Sequence, residues 1–132
     1  MADDNLVRLQ EAYAQWHGSQ GANPQSWLDL CDDELRQTSL AIYHDSESRV
    51  GKANFVAYLG LLAAEWDEIS VEVDEFIGGG DRIVVLSRVT CRNRATGKIL
   101  ASPKIDIYRF HDGKIVESIE HLDTAALAAA RS

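Results

Sequence analysis

The spacing of apolar residues predicts helices in the N-terminal half of the chain. Residues 5–17 place apolar side chains on one helical face: Leu6, Leu9, Tyr13 and Trp16. The dipeptide Asn23-Pro24 supplies an N-cap and a first-turn proline for a short second helix through Trp27 and Leu28. Residues 52–65 predict a third helix, whose apolar stripe includes Phe55, Leu59 and Leu62.

From Ile69 onward, the pattern is typical of β-strands joined by short turns. The predicted strands are 69–77, 82–93, 99–110 and 114–122. An earlier strand is predicted at 35–43, and the C-terminal segment TAALAAARS is predicted to be helical or frayed. Three helices beside a long, strongly curved antiparallel sheet indicate an α+β architecture. Its interior is either filled by side chains or left open as a pocket.

Length and composition indicate one globular domain spanning residues 1–132. The chain is 45% apolar and carries a formal net charge of −8, which opposes long-range attraction to nucleic acid or to an anionic membrane. No apolar run reaches the length of a membrane span. The N-terminus also lacks the basic-then-apolar order of a signal peptide, so we expect a cytoplasmic protein.

The cysteines and histidines do not indicate a metal site. Cys31 and Cys91 show no CxxC or Cys/His spacing, and the four histidines show no ligand spacing either. We expect ordinary reduced thiols and no metal or other cofactor.

The stretch KIDIYRFHDGKIVESIEHLD, residues 104–123, predicts a β-hairpin with two carboxylates inside its strands. A two-residue Asp-Gly turn would place Asp106 and Glu120 on opposite faces of the sheet. A three-residue His-Asp-Gly turn, with Gly113 in the left-handed conformation, would place Asp106 opposite Ser118. Both carboxylates would then lie on one face.

We favour the three-residue turn because it separates apolar from polar side chains. Phe110 then pairs with Lys114, and one face of the sheet collects Ile105, Ile107, Ile115 and Ile119. The other face forms the wall of a semi-apolar cavity and carries Lys104, Asp106, Tyr108, Ser118 and Glu120. An exposed isoleucine face would be large for a monomer, so we expect a homodimer built on it.

Two further side chains are expected to reach the same cavity. Strand alternation is interpreted as directing Arg88 inward, together with Leu86 and Thr90, and Tyr13 lies on the helical stripe that closes the open end of the sheet. A buried carboxylate is costly unless it is protonated or paired. We therefore expect one acid to titrate abnormally while the other stays ionised against Arg88.

The order helix, helix, strand, helix and four strands, with the segment RFHDGKIVE at 109–117, resembles the nuclear transport factor 2-like superfamily, particularly its SnoaL-like members. The resemblance covers about residues 5–125. It implies a cone-shaped, curved antiparallel sheet wrapped around N-terminal helices, a cystatin-like α+β roll. The motif specifies this fold better than it specifies an activity.

Similarity to the ketosteroid isomerases of this superfamily implies roles for two residues. Tyr13 in LQEAYAQW and Asp106 in KIDIYRF resemble their two oxyanion-stabilising groups. The general-base aspartate has no counterpart, because CDDELRQTSL places Thr38 or Ser39 there. Neither hydroxyl accepts a proton at neutral pH, so steroid-type isomerisation is not favoured.

Similarity to two other groups of the superfamily implies a role for Glu120. Limonene-epoxide hydrolases use an Arg-bridged carboxylate pair, which Arg88 in SRVT and Glu120 in ESIEHLD match only in part, because Thr90 replaces one carboxylate. SnoaL-like cyclases rely mainly on one acidic residue near the position of Glu120 in the last strand.

Together these observations indicate a protein that binds a small apolar molecule, with no cofactor. If it is an enzyme, it is an isomerase or cyclase that transfers a proton on an apolar carbonyl substrate. The alternative is a non-catalytic ligand-binding module or dimeric adaptor. The candidate catalytic residues are Asp106, Glu120 and Tyr13. The candidate binding residues are Arg88, Thr90, Tyr108, Ser118, Phe55, Leu59 and Trp16.

Overall fold

The computed structural model describes residues 2–19, 23–39 and 47–132. The helices in these ranges are α1 (Ala2–Gly18), α2 (Gln25–Leu30), α3 (Lys52–Glu65) and α4 (Thr124–Arg131). The strands are β1 (Cys31–Ser39), β2 (Glu47–Val50), β3 (Trp66–Gly79), β4 (Arg82–Asn93), β5 (Ile99–His111) and β6 (Lys114–Leu122). No helix within these ranges is long and apolar enough to cross a membrane.

The strands form one curved, unclosed sheet in the order β2-β1-β6-β5-β4-β3, so the predicted α+β architecture is confirmed. All neighbouring strands are antiparallel except β1 and β6, which pair in parallel. Strand β2 was not predicted. Strand β1 begins at Cys31, before the predicted start at residue 35, and residues 40–43 of that prediction lie outside the described residues.

The main core lies between the inner face of the sheet and helices α1, α2 and α3. Trp27 is central to it, because its ring stacks on Trp16 with centroids 5.1 Å apart and meets Phe55 edge-on at 5.3 Å. Burying one such large apolar side chain contributes about 1.5–3 kcal/mol. A smaller cluster joins α4 to the sheet and contains Trp66, Cys91, Leu100, Leu127 and Ala130.

The β5–β6 hairpin turns on two residues, so the predicted three-residue turn is wrong. Asp112 and Gly113 both have positive φ, at 49° and 75°, and this backbone twist suits a two-residue hairpin. Phe110 consequently pairs with Ile115, not with Lys114. The predicted left-handed conformation of Gly113 is confirmed.

A β-bulge in β6 nevertheless brings the two carboxylates to the same face. Val116 is the extra residue, because the register shifts so that Arg109 pairs with Glu117. Beyond the bulge, Asp106 pairs directly with Glu120. The shared face is therefore confirmed, although neither predicted register is present along the whole hairpin.

The bulge also divides the predicted isoleucine face. Ile115 points into the core and is fully buried, so the prediction that it joins the other three isoleucines is wrong. Ile105, Ile107 and Ile119 lie on the outer face, where Ile107 and Ile119 are cross-strand partners. Ile105 is 40% exposed.

Helix α4 packs on β4 and β5, and the C-terminal segment is helical, one of the two predicted states. The Asp123 side chain caps the helix by accepting a hydrogen bond from the Ala126 amide at 3.0 Å. The guanidinium of Arg131 donates two hydrogen bonds of 2.6 Å to the two carboxylate oxygens of Glu65 and lies over the Trp66 ring. These contacts hold the end of α4 against the last residue of α3, Glu65, and the first residue of β3, Trp66.

Candidate functional site

A cavity of about 380 Å³ lies between the inner sheet face and helices α1 to α4. Its volume lies within the range usual for small-molecule sites. The wall is mainly apolar and includes the rings of Trp16, Trp27, Phe55, Tyr58 and Trp66. The charged side chains that line it are Lys104, Glu120 and Arg131.

Lys104 projects from β5 and is held by two carboxylates. Its Nζ donates to both oxygens of Asp106, each at 2.7 Å, and lies 3.5 Å from Oε2 of Glu120. Burial alone would lower the pKa of Lys104, but the negative charges of Asp106 and Glu120 outweigh burial and raise it. Lys104 is therefore a buried ammonium ion.

Glu120, on β6, is the carboxylate that reaches the cavity. Its Oε1 accepts hydrogen bonds from Ser39 Oγ at 2.6 Å and from Tyr58 OH at 2.7 Å. Burial opposes its ionisation, but the charge of Lys104 and these hydrogen bonds together lower its pKa. Glu120 is thus ionised at neutral pH while only 8% exposed.

Asp106 is 1% exposed and lies behind Lys104, so it does not line the cavity. Burial raises its pKa, although Lys104 opposes the rise. Its Oδ2 also accepts a hydrogen bond of 3.2 Å from Tyr13 OH, which lies 2.5 Å from Tyr108 OH. Burial raises the pKa of both tyrosines, and their phenols stay neutral.

The two acids thus differ as expected, but the cation between them is not the expected one. Arg88 points to the outer face, where its side chain is 60% exposed and binds Asp74 and Glu72. The predicted inward placement of Leu86, Arg88 and Thr90 is therefore wrong. The inward-facing positions of β4 are the odd-numbered ones, because side chains alternate along a strand: Ile83, Val85, Ser87, Val89 and Cys91.

The remaining predicted binding residues fall into two groups. Trp16, Phe55 and Leu59 line the cavity. Tyr108 and Ser118 point inward and are buried, but they do not line it. Tyr13, predicted as catalytic, likewise packs in the core behind the cavity.

Three residues near the cavity were missed as site residues. Lys104 was placed on the cavity face but given no role, although its position two residues before Asp106 on the same strand indicated that the two side chains lie side by side. Tyr58 lies one helical turn after Phe55 on α3. In the sequence, Ser39 matches the position of a general-base aspartate but cannot act as a base. In the structure, its hydroxyl donates a hydrogen bond to Glu120.

Arg49 supports the hydrogen-bond donors of Glu120 from the edge strand β2. Its Nη1 donates to Gln37 Oε1 at 2.7 Å and to Ser39 Oγ at 3.3 Å. Its guanidinium also lies 3.7 Å from the centroid of the Tyr58 ring. Arg49 therefore contacts both residues that donate hydrogen bonds to Glu120.

The described ranges contain no group of three or more histidine, cysteine, aspartate or glutamate side chains that could hold a metal ion. The cation that Asp106 and Glu120 share is Lys104.

Solved structures share this fold over nearly the whole chain. A protein of Jannaschia sp. named after the SnoaL-like polyketide cyclases has a TM-score of 0.84 at 17% identity, covering 98% of this chain and 92% of its own. A nuclear-transport-factor-2-like protein of Burkholderia thailandensis has a TM-score of 0.82 at 20% identity, covering 95% of each chain. At these identities the likeness shows the fold alone.

A third structure, from Catenulispora acidiphila, has a ketosteroid isomerase-like fold and is a complex with trimethylamine. Its TM-score is 0.76 at 15% identity, and the match covers 91% of each chain. Comparison with curated proteins finds no match. The profile of the SnoaL-like domain family matches residues 9–118, which is most of the chain. The protein therefore belongs to the SnoaL-like domain family.

Proposed function

We propose that the cavity binds a small apolar carbonyl compound and that Glu120 transfers a proton on it, in a cofactor-independent isomerisation or cyclisation. The observation that carries this proposal is an ionised, almost completely buried carboxylate at an apolar cavity. At neutral pH this carboxylate is in the form that accepts a proton, and its hydrogen bonds hold it at a fixed position beside the cavity, which are two requirements of a general base.

The hydrogen bonds of Glu120 suit one of its oxygens to this role. Oε1 accepts from Ser39 and Tyr58, whereas the nearest cation to Oε2 is Lys104 Nζ at 3.5 Å. Oε2 is thus the less engaged oxygen. It takes a proton from the carbon next to the carbonyl group, and the C–H electron pair forms the enolate. The proton then returns to another carbon. In a cyclisation, the enolate carbon instead bonds to a second carbonyl carbon of the same molecule, the π electrons of that carbonyl group move to its oxygen, and this oxygen takes the proton from Glu120.

The base can be tested with a probe, because the natural substrate need not be known. Nitrobenzisoxazole is apolar, and removal of its ring C–H proton by a base breaks the N–O bond to give a coloured nitrile phenolate. Replacing Glu120→Gln should lower the rate of this reaction about a hundredfold to ten-thousandfold. Glu117→Gln is the matched control, because Glu117 lies on the same strand but pairs with Arg109 at the protein surface.

The competing candidate is a module that binds a ligand without reacting with it. The trimethylamine complex of the Catenulispora acidiphila protein supports small-molecule binding by this fold. Binding of the probe with equal turnover by the wild type, the Glu120→Gln variant and the Glu117→Gln variant would favour the binding module over the enzyme.

A further inference from the structure

We infer that Lys104 is a second catalytic group, which stabilises negative charge on an oxygen of the ligand, and that Asp106 is the residue that positions it. The inference rests on the proposed function and narrows its ligands to apolar molecules whose reacting oxygen becomes an enolate or phenolate. Neither the predicted site residues nor the resemblance to ketosteroid isomerases assigned this role to a lysine.

One of the three N–H donors of Lys104 is available to a ligand oxygen. An ammonium group has three N–H donors, and the two oxygens of Asp106 accept from it at 2.7 Å each. The third donor lies 3.5 Å from Glu120 Oε2, a contact that helps to raise the pKa of Lys104 but is longer than the usual hydrogen bond of about 2.7–3.2 Å, so a closer ligand oxygen competes for this donor. Among the described residues no other acceptor takes this donor, and Lys104 itself lines the cavity.

The residues that resemble the usual oxyanion-stabilising pair are not available for this task. Tyr13 OH is bonded to Asp106 and Tyr108, and neither Tyr13 nor Asp106 lines the cavity. Arg131 does line the cavity, but two of its nitrogens donate to the two oxygens of Glu65. Lys104 is the cavity cation that lies beside the proposed base.

Asp106 acts on the ligand only through Lys104. Its two oxygens fix the position of Nζ, and its charge is the first of the favourable influences that keep the buried ammonium protonated. Without Asp106, burial would favour the neutral amine, which is a weaker donor to an oxyanion. Tyr13 and Tyr108 in turn hold Asp106 from behind.

In the proposed reaction, Lys104 keeps its proton. Glu120 removes the proton from carbon, the electron pair of that C–H bond forms a C–C double bond, and the carbonyl π electrons move to oxygen. The third N–H of Lys104 donates a hydrogen bond to this oxygen. Return of the proton from Glu120 to another carbon restores the carbonyl group and the ionised carboxylate, so the step needs no oxidant or reductant.

The experiment measures how readily a bound phenol ionises, which requires no catalysis. Para-nitrophenol changes its absorbance when its oxygen loses a proton, so the pKa of the bound probe can be titrated directly. Replacing Lys104→Met should raise that pKa by about one unit or more, which is at least a tenfold change in ionisation constant. Lys104→Arg keeps the positive charge, so the pKa of the bound phenol in this variant should stay close to the wild-type value.

Two further variants separate this role from a structural one. Asp106→Asn should shift the pKa of the bound phenol in the same direction as Lys104→Met. Lys114→Met should leave it unchanged, because Lys114 is exposed and donates to the Asp29 carbonyl group. An unchanged pKa in folded, probe-binding Lys104→Met protein would overturn the inference, as would failure of the wild type to bind the probe.

The two proposals fail in different assays. If the Glu120→Gln variant opens nitrobenzisoxazole as fast as the wild type, Glu120 is not the base, whatever the phenol titration shows. If the rate depends on Glu120 but the pKa of the bound phenol is unchanged in Lys104→Met, only the proposed role of Lys104 is refuted.

Discussion

Asp106 and Glu120 are cross-strand partners that share Lys104, yet only Glu120 reaches the cavity. The difference arises from depth, because Asp106 is enclosed by Tyr13 and Tyr108, whereas Glu120 lies beside the cavity-lining Tyr58. Two acids that are neighbours in the sheet therefore have opposite pKa shifts and separate roles.

The contribution of Glu120 to stability should depend on pH. Folding lowers its pKa from 4.5, so its stabilising contribution is present above that value and is lost as the pH falls through the folded pKa. Glu120→Gln should lower the free energy of unfolding by about 1–3 kcal/mol at neutral pH. Urea unfolding at successively lower pH should show that the difference in free energy of unfolding between the wild type and the variant becomes smaller. A difference that grows in acid would contradict the lowered pKa.

Tyr13→Phe should affect stability more than ligand binding. The substitution removes a buried hydroxyl that donates to Asp106, at a cost of about 1–3 kcal/mol in the free energy of unfolding. Because Tyr13 does not line the cavity, the affinity for nitrobenzisoxazole should be unchanged. Tyr58→Phe provides the comparison, since Tyr58 lines the cavity and donates to Glu120, and it should alter the ring-opening rate as well.

We expect a homodimer formed through the outer face of the sheet, around Ile105, Ile107 and Ile119. Light scattering should then give about twice the chain mass of 14.6 kDa. Ile105→Glu should yield monomers, because a charge would be desolvated at the centre of the contact. Leu61→Glu is the control, since Leu61 is 71% exposed but lies on α3. A wild-type mass near 14.6 kDa at micromolar concentration would exclude this dimer.

Arg131→Met should loosen α4 without unfolding the sheet. The variant loses both hydrogen bonds to Glu65, while Leu127 and Ala130 remain packed on the sheet. Hydrogen exchange of the α4 amides should become faster relative to those of β4 and β5. Arg94→Met is the control, because Arg94 contacts Asp67 and Ala63 and does not line the cavity. Equal acceleration in both variants would show that the Glu65 contact does not fasten α4.

The helices and long strands could be predicted because their apolar periodicity extends over many residues. Strand β2 is short, and its sequence ESRV has no apolar alternation to indicate it. Alternation was applied to β4 in the wrong phase, because it was taken to direct Leu86, Arg88 and Thr90 inward, whereas the buried Val85 and Val89 belong to the opposite alternating set. The apolar residues of the strand were the better guide to its inner face.

The candidate site was predictable only in part. The sequence placed Asp106 and Glu120 on one face for the wrong reason, since the bulge at Val116 compensates for the shorter turn. A bulge depends on how the strand packs, and nothing in ESIEHLD or KIV marks its position. The division of roles between Asp106 and Lys104 depends on distances of a few ångströms, which strand alternation does not provide.

The bulge at Val116 has a consequence for how this site can change during evolution. A substitution at Glu120 alters one functional group, whereas deletion of Val116 would remove the bulge and leave Arg109 paired with Glu117 and Asp106 paired with Glu120. Loss of a second residue between the turn and Ser118 would exchange the two faces of the rest of β6, so that Ile119 would face the core and Glu120 would face solvent. We therefore expect lineages that keep this site to tolerate the loss of one residue of β6 at the bulge but not the loss of two.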